Sequence, residues 1–424
     1  MPTELPPLFQ SQSQSLCRGF EASLADERTE TGDLRTERWA RALVEDACDA
    51  RASDIHLDSQ IGGVRVRFRI DGAVREIAML PKRTGNLLIG YFKVTSNLDP
   101  APSLRPEDSH LQWLVHGETL DIRLACAPCL YGDKLALRLL RRAAVKHRLG
   151  ALGLRNEDHT KIHSWLGDIS GMFLVAGPVS SGKTTTLYAL LAELHMNERN
   201  IVTIEDPVEY QLENINQMEV NLRRGVTFEL GLKSILRLDP DYILLGEIRD
   251  KESALIAMEA ASTGRVVMTT MHSRNVAGVI TALRSLGISN YEIAASLAFV
   301  VGQRLVRTLC RGCRILEAPS ETERDWLISL GEKVPGEIWH AGKCAQCGGT
   351  GYFGRTGVFE VLPVAEHVYD MIISGEDEHT LRKHLKDVGF HPLLRDGLEK
   401  AAEGITDLSE LMHLGAQGYL EQSR

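Results

Sequence analysis

The chain has 424 residues, enough for two or three domains that each bury a core. Its composition, with 43% hydrophobic and 25% charged residues, is that of a soluble globular protein, and its net charge of −9 argues against a general nucleic-acid binder. No apolar run approaches the roughly 20 residues that span a bilayer, and the start MPTELPPLFQ lacks the features of a signal peptide, so we expect a cytoplasmic protein.

Residues 1–35 are rich in Pro, Gln, Ser and Glu, which predicts a flexible arm. Residues 36–150 predict a small α+β domain with an antiparallel sheet. Its first helix is predicted from Arg38 through the run that ends at Asp58, and a β-hairpin follows that turns at Asp71–Gly72. A second helix over 85–95 and three strands, within 111–115, 119–126 and 133–140, complete the domain.

From residue 151 the chain alternates short apolar runs with helical patterns, which predicts a mostly parallel sheet covered on both faces. Strands are predicted within 172–176, 200–206, 242–247 and 265–270, and two helices near 276–305. Ligands of such sheets bind beyond the carboxyl ends of the strands. The motifs described next fall at these ends.

The stretch GPVSSGKTTT, between an apolar run and a helical pattern, fits the phosphate-loop motif G-x-x-x-x-G-K-[ST]. Glycines let successive N–H groups point inward, Lys183 reaches the outer phosphates, and the Thr184 hydroxyl can hold Mg²⁺. The alternative is a glycine-rich turn that binds nothing. The motif predicts an ATP site formed by Gly177, Pro178, Val179, Ser180, Ser181, Gly182, Lys183, Thr184 and Thr185.

Acidic residues close two of the predicted strands. Glu247 ends the run YILLGE, as a Walker B carboxylate does, and Glu205, Asp206 and Glu209 end the run NIVTIED or follow it. Because converging carboxylates repel one another, a bound cation is expected among them. His272 follows a further strand, where it either contacts the γ-phosphate or is a satisfied core residue.

Two C-x-x-C pairs form the second strong pattern. Four thiolates are the ligand set of structural Zn²⁺, and the pairs supply them from Cys310, Cys313, Cys344 and Cys347. The alternatives are two redox pairs or coincidence. The residues between the pairs predict a small excursion with its own helix. A separate pair, Cys126 and Cys129, is interpreted as two buried or half-buried thiols.

Taken together, these motifs resemble the ATPases of type II secretion and type IV pilus assembly, the GspE/PilB group. IEDPVEY, LDPDYILLGEIRD, TGRVVMTTMHS, QRLVRTLC and GTGYFGRTGVFEVL follow the phosphate loop in the family's order, and ASDIHLD and RFRIDG precede it. The resemblance implies a PAS-like domain over 36–150 and a RecA-like α/β ATPase domain over 151–424. It also places a tetracysteine zinc-binding subdomain at 308–350 within the ATPase domain.

The resemblance further implies a homo-hexameric ring at the cytoplasmic face of the bacterial inner membrane. Such a ring hydrolyses ATP with Mg²⁺ and is thought to turn a membrane platform protein that adds subunits to a pilus or pseudopilus. A cytoplasmic docking protein is a second implied partner, and the membrane is reached through these partners. No direct contact with nucleic acid is expected.

Individual roles follow from the same resemblance. Lys183 and Thr184 hold phosphate and magnesium, Glu247 is the Walker B acid, Glu205 orients water, and His272 senses the phosphate. Arg123 and Arg138 match first-domain arginines that reach the nucleotide and neutralise transition-state charge; a solvated sheet face is the plainer interpretation of both. Spacing leaves open which of Glu205 and Glu247 is the general base.

Some positions depart from the family's pattern. Val179 and Ser180 stand where the family has Thr and Gly, and a serine gives up backbone freedom there. Arg265 replaces a histidine and His110 an arginine, so we expect nucleotide binding to survive and turnover to be slow. The alternatives are a nucleotide-gated scaffold with little turnover, or a conjugation, DNA-uptake or pilus-retraction motor; the cysteine pairs favour the assembly branch.

Overall fold

The computed structural model describes residues 16–25, 32–140, 148–166, 170–194 and 198–416. They divide into two units. The first lies within 1–142 and includes the segments 309–315 and 341–354, and the second lies within 143–308, 316–340 and 355–424. The four cysteines of the two pairs group with the first unit. The domain boundaries expected from the sequence stay a prediction.

The first unit is built on a six-stranded antiparallel sheet. Its strands are β1 Ala52–Gln60, β2 Gly63–Ile70, β3 Ala73–Leu80, β4 Glu107–Val115, β5 Glu118–Cys129 and β6 Gly132–Leu140, in the spatial order β3-β2-β1-β6-β5-β4. Alternate side chains are buried, as Val64, Val66 and Phe68 are in β2. This face forms one core with the helices α1 Arg18–Ala25, α2 Gly32–Asp49 and α3 Lys82–Thr95.

The predicted hairpin and the predicted helix near 85–95 are confirmed. Asp71 and Gly72 have φ values of 48° and 90°, as a tight two-residue hairpin turn requires. The prediction of a helix through Asp58 is wrong, because α2 ends at Asp49 and Arg51 turns the chain with a φ of 60°. From there Ile55 and Leu57 alternate into the core as part of β1.

A flexible arm over residues 1–35 is not what the structure shows for residues 18–25, which form α1. Phe20 is fully buried, and its N–H donates to Asp46 at 2.7 Å. The Trp39 indole donates to the carbonyl of Ser23 at 3.1 Å. These contacts hold α1 on α2. Residues 1–15 and 26–31 of the predicted arm lie outside the described residues.

The remaining strands are β7 Gly171–Ala176, β8 Ile201–Glu205, β9 Asn216–Glu219, β10 Tyr242–Leu245, β11 Val266–Met271, β12 Leu297–Leu309, β13 Ile315–Glu317, β14 Ile338–His340 and β15 Tyr352–Pro363. Seven of them form one sheet in the order β15-β12-β7-β11-β10-β8-β9, in which the pairs from β12 to β9 are parallel. β13 and β14 pair separately.

Helices cover both faces of this sheet. The helices described in this unit are α4 Asn156–Leu166, α5 Lys183–Glu193, α6 Phe228–Ile235, α7 Lys251–Ser262, α8 Val276–Ser285, α9 Asn290–Ser296, α10 Glu321–Ser329, α11 Glu366–Ile373, α12 Glu378–Asp387, α13 Leu393–Ala402 and α14 Leu408–Ala416, and α10, α13 and α14 contribute to a separate, smaller core. In β7, Met172 and Leu174 enter one core and Phe173 and Val175 enter another. The predicted parallel α/β architecture is confirmed, as is a helix, α10, between the cysteine pairs.

The prediction of two helices near 276–305 is wrong beyond Ser296. There the run LAFVV begins β12, which pairs with β7. A short apolar run buried on both faces has no periodicity that distinguishes a strand from a buried helix. Among the described residues, no helix combines the length and apolar character needed to cross a bilayer.

A buried ion pair in the first unit gives a test of this packing. Lys93 of α3 is fully buried, and its Nζ lies 2.8 Å from Asp133 Oδ2. We expect Lys93→Met to lower the free energy of unfolding by about 3–5 kcal/mol, because Asp133 loses its cationic partner inside the protein. Thermal and urea unfolding measure the change.

The matched control is Arg41→Met, which removes an exposed pair with Glu37 at 3.3 Å. It is expected to change the same free energy by at most about 0.5 kcal/mol. Equal, small effects of the two substitutions would contradict the buried pair.

Candidate active site

The phosphate loop begins where β7 ends and finishes where α5 begins. Ser180 and Gly182 have φ values of 63° and 89°, so the loop curls through two left-handed residues. A Cβ at Gly177 would lie 2.6 Å from the Gln303 carbonyl oxygen, which requires glycine there. Ser180 bears the backbone strain that a glycine would avoid. The curl leads into the N-terminus of α5, where helix geometry favours an anion.

Lys183, the first residue of α5, turns its side chain back onto the loop. Its Nζ donates to the carbonyl oxygens of Gly177 and Pro178, each at 2.9 Å. Burial lowers the pKa of the Lys183 ammonium group to about 8, against the opposing effect of Glu247, and the guanidinium of Arg304 adds to the lowering. The nearby carboxylate thus does not fully offset burial of the Lys183 ammonium group. A bound phosphate would add the negative charge that stabilises the ammonium form.

The other loop residues differ in exposure. Val179 is 78% exposed, whereas Ser181 is buried and its hydroxyl has no hydrogen-bond partner among the described residues. Thr184 and Thr185 lie in the first turn of α5, and Thr186 donates to the Gln303 side chain at 2.7 Å. The orphan hydroxyl of Ser181 is a polar group that a bound phosphate oxygen would satisfy.

Glu247 and His272 meet at the same edge of the sheet. Glu247 follows β10, His272 follows β11, and 3.5 Å separates Glu247 Oε2 from His272 Nε2. His272 Nδ1 lies 3.1 Å from the carbonyl oxygen of Gly177. The Nε of Arg249 donates to Glu247, and its NH1 donates to Asp206 at 3.2 Å. The structure thereby brings the phosphate loop, Glu247 and His272 together in one group.

Glu205 lies in a separate, buried cluster. It is 3% exposed, and it accepts hydrogen bonds from the Tyr188 hydroxyl, from Thr203 at 2.7 Å and from Gln217 at 3.2 Å. Burial raises the pKa of the Glu205 carboxyl, while these three hydrogen bonds oppose the rise. Both carboxylate oxygens are therefore engaged within the protein.

Several residues around the site were not predicted to be site residues. Arg249, two positions after Glu247, was predictable in principle because alternate residues at a strand end share a side. Tyr188 and Gln217 reach Glu205 from α5 and β9, which no local pattern relates. Arg304 of β12 is 1% exposed, and its guanidinium donates to the carbonyl oxygens of Gln303 and Arg274.

Arg123 and Arg138 lie opposite each other on β5 and β6 of the first unit. Arg138 is 61% exposed, and its Nε lies 3.2 Å from Asp54 Oδ1. His110 of β4 is the neighbour of Arg123 across the sheet. The role of both arginines at the nucleotide stays a prediction.

The two cysteine pairs converge into one cluster. The Sγ atoms of Cys310, Cys313, Cys344 and Cys347 all lie within 4.8 Å of one another. Three of the Sγ pairs are 3.7–3.8 Å apart, and a tetrahedral zinc with Zn–S bonds of about 2.3 Å requires about 3.8 Å. Two separate redox pairs would not need this arrangement. The donor set and its spacing fit Zn²⁺.

The separate pair Cys126 and Cys129 differs in part from the predicted burial of its two thiols. Cys126 is buried, and burial raises the pKa of its thiol. Cys129, however, is exposed, so the interpretation as a half-buried thiol is wrong for it. It lies at the end of β5, where the hairpin to β6 leaves the covered face.

Known proteins are similar to this chain over most of its length. A sequence model for the family of type II/IV secretion system proteins matches residues 29–413. Type II secretion system protein E of Klebsiella pneumoniae is 40% identical over 407 residues, covering 94% of this chain and 81% of that protein. Type II secretion system ATPase E of Vibrio cholerae is 38% identical over 402 residues, covering 92% and 79%. Type IV pilus assembly ATPase PilB of Thermus thermophilus is 35% identical over 407 residues, covering 95% and 46%.

Solved structures share the fold. The ATPase DotB of Legionella pneumophila aligns with a TM-score of 0.67 at 21% identity, covering 93% of this chain and 98% of that chain. The pilus retraction motor PilT with bound ADP aligns with a TM-score of 0.58 at 22% identity, covering 88% and 95%. The predicted fold class and family are confirmed: the chain belongs to the type II/IV secretion system proteins, a family of secretion and pilus ATPases.

Proposed function

We propose that this chain hydrolyses ATP to drive assembly of a pilus or pseudopilus, in type II secretion or in type IV pilus formation. The observation that carries the proposal is the grouping of Lys183, Glu247 and His272 around Gly177 at one edge of a parallel sheet. Relatives named for the two systems, at 40% and 35% identity, support both settings. The active form is an assembled ring of chains that hydrolyses ATP.

The residues at this edge divide the work of the reaction. Lys183 and the N–H groups at the start of α5 bind the outer phosphates of ATP, and the buried Ser181 hydroxyl supports a phosphate oxygen. The Thr184 hydroxyl and the Glu247 carboxylate are oxygen ligands of the kind that Mg²⁺ prefers. An Mg²⁺ ion held by these residues would neutralise the charge that develops on the phosphates. Glu247 orients the attacking water, and His272 reports the occupancy of the loop to Glu247.

The assembly is a homo-hexamer at the inner face of the bacterial inner membrane, in contact with a platform protein and a docking protein. Family membership supports this part of the proposal. Arg123 and Arg138 are assigned to the nucleotide on the same basis, because guanidinium groups stabilise phosphoryl-transfer charge. No nucleic acid is required by the chemistry of the site.

The tetracysteine cluster is a structural zinc site. Four thiolates leave no open position for a substrate, which is typical of structural rather than catalytic zinc. The N–H of Gly351 donates to Cys347 Sγ at 3.2 Å, as expected for a stabilised thiolate ligand. Zinc would hold the ends of β12 and β15 together, since Cys310 follows one and Cys347 precedes the other.

Removal of the lysine tests the phosphate loop. We expect Lys183→Ala to lose nucleotide binding and filament assembly without a change in unfolding temperature, because among the described residues its ammonium group donates to carbonyl oxygens of its own loop alone. Filament assembly in a host strain and nucleotide titration are the measurements. Lys233→Ala, which alters an exposed lysine of α6 paired with Glu229, is the control. Normal assembly by Lys183→Ala would contradict the motor.

Nucleotide affinity should depend on pH through the same lysine. With a Lys183 pKa of about 8 in the free protein, the ammonium form that binds phosphate is depleted as pH rises above 8. We therefore expect the dissociation constant for ATP to increase by up to about ten-fold per pH unit there. Titration calorimetry between pH 7 and pH 9.5 measures it. Lys183→Arg keeps its charge and should show a flat profile; identical profiles would refute the assignment.

Metal removal tests the zinc site. Freshly purified protein is expected to hold one zinc per chain, and a zinc-selective chelator should speed amide exchange in 309–315 and 341–354 because the cross-link is lost. ATP affinity should persist, since the phosphate loop contains no zinc ligand. Cys344→Ser should abolish zinc binding, whereas Cys129→Ser, at an exposed thiol outside the cluster, should retain it. Fresh protein without zinc would rule the site out.

A further inference from the structure

Two adjacent acidic residues at the end of β8 engage different partners. Glu205 is buried against Tyr188, Thr203 and Gln217, whereas Asp206 accepts a hydrogen bond from Arg249 at 3.2 Å with its side chain 39% exposed. Successive residues of a strand point to opposite sides. The end of β8 therefore contacts two groups of residues: an inner neighbourhood around Glu205 and an outer neighbourhood around Asp206.

The inner neighbourhood fastens the end of β8 to the phosphate-loop helix. Tyr188 lies on α5, five positions after Lys183, and is 4% exposed. Its hydroxyl donates to Glu205 Oε2. Gln217 of β9 donates to Glu205 Oε1 at 3.2 Å and to the carbonyl oxygen of Tyr210 at 3.0 Å, and it accepts from the N–H of Leu212 at 2.7 Å.

A ring contact adds to this attachment. The rings of Tyr188 and Tyr210 meet edge to face with centroids 6.0 Å apart. The segment between β8 and β9 is thus held to α5 both by hydrogen bonds and by aromatic packing.

The outer neighbourhood leads to the Walker B acid. Asp206 holds Arg249 NH1, and Arg249 Nε donates to Glu247. The negative charge of Glu247 raises the pKa of Lys183, against the effect of burial. Its Oε2 lies 3.5 Å from His272 Nε2. The path from α5 to the reacting edge therefore runs through Tyr188, the Glu205–Asp206 pair, Arg249 and Glu247.

We propose that Tyr188 and Glu205 are positioning residues, which fix Asp206 and through it the Arg249–Glu247 pair, and that Glu205 does not contact the attacking water. The proposal rests on the proposed ATPase function and refines it. Both oxygens of Glu205 are already occupied by protein donors in a buried site, and withdrawing them to face a water would leave three donors unsatisfied. Glu247, in contrast, lies 3.5 Å from His272, whose Nδ1 is 3.1 Å from the carbonyl oxygen of Gly177.

The test compares steady-state ATP turnover of assembled full-length protein in Tyr188→Phe, Glu205→Gln, their double variant and Glu247→Gln. Tyr242→Phe is the matched control, because Tyr242 is equally buried and its hydroxyl donates instead to the Leu166 carbonyl at 3.1 Å. Each kcat and each KM for ATP is measured, and amide exchange of residues 206–219 is followed in the same proteins.

We expect Tyr188→Phe and Glu205→Gln each to lower kcat by about 10- to 100-fold with KM unchanged, as for residues that orient a reacting group. The double variant should fall no further than the more affected single variant, because the two residues act as one unit. Exchange in 206–219 should be faster in all three. Glu247→Gln should lose about 10²–10⁴-fold in kcat, and Tyr242→Phe should lose nothing.

Two results would overturn the inference. Glu205→Gln as inactive as Glu247→Gln, with Tyr188→Phe at the wild-type rate, would place Glu205 on the water. Effects of Tyr188→Phe no larger than those of Tyr242→Phe, in both kcat and exchange, would show that Tyr188 and Glu205 do not position Asp206. Failure of the proposed function is seen separately, as absence of turnover in the assembled wild type.

Discussion

The parallel arrangement of β7, β8, β10 and β11 is the constraint on which the rest of the site depends. Parallel strands end at one edge, and here the ladders pair Ala176 with Met271 and Leu245 with Ile204. Residues far apart in the chain, from Gly177 to His272, are therefore delivered to one place by backbone hydrogen bonding alone. The side chains that follow the strands then need only short turns to meet.

The strand β12 packs beside the phosphate loop and supports it. Gln303 accepts from Thr186 of α5, and its carbonyl oxygen closes the space beside Gly177. The buried guanidinium of Arg304 ties this strand to the segment after His272 through the carbonyl of Arg274. The same strand continues to Cys310. The chain itself therefore connects the support of the phosphate loop to the cysteine cluster.

Much of this could be predicted because it is local. The phosphate loop, Glu247 and the cysteine pairs are short patterns whose chemistry demands their residue types, and the turn at Asp71–Gly72 follows from its two residues. The prediction of helices was wrong for two strands. The spacing of apolar residues from Ala52 to Asp58 in β1 also fits a helix, and the apolar run LAFVV of β12 has no periodicity that separates the two states. Only pairing with neighbouring strands, a long-range property, settled them.

The contacts of Glu205 show the same limit at the level of a side chain. Its position at a strand end was evident, and its motif suggested a role beside the phosphate. Whether a strand-end carboxylate faces the ligand or the core depends on what packs behind it, and Tyr188 and Gln217 come from elements that no local pattern relates to it. The exposed Cys129 is a similar case, since a strand sequence does not tell where its hairpin leaves the sheet.

The proposed role of Glu247 is to serve ATP hydrolysis in an assembled ring. The most direct test is ATP turnover per chain as a function of protein concentration, for the wild type beside Glu247→Gln, with and without the cytoplasmic part of the platform protein. Turnover that rises with assembly in the wild type and is absent from the variant is the predicted result. Tight nucleotide binding with no turnover at any concentration would contradict the account and would indicate a nucleotide-gated scaffold.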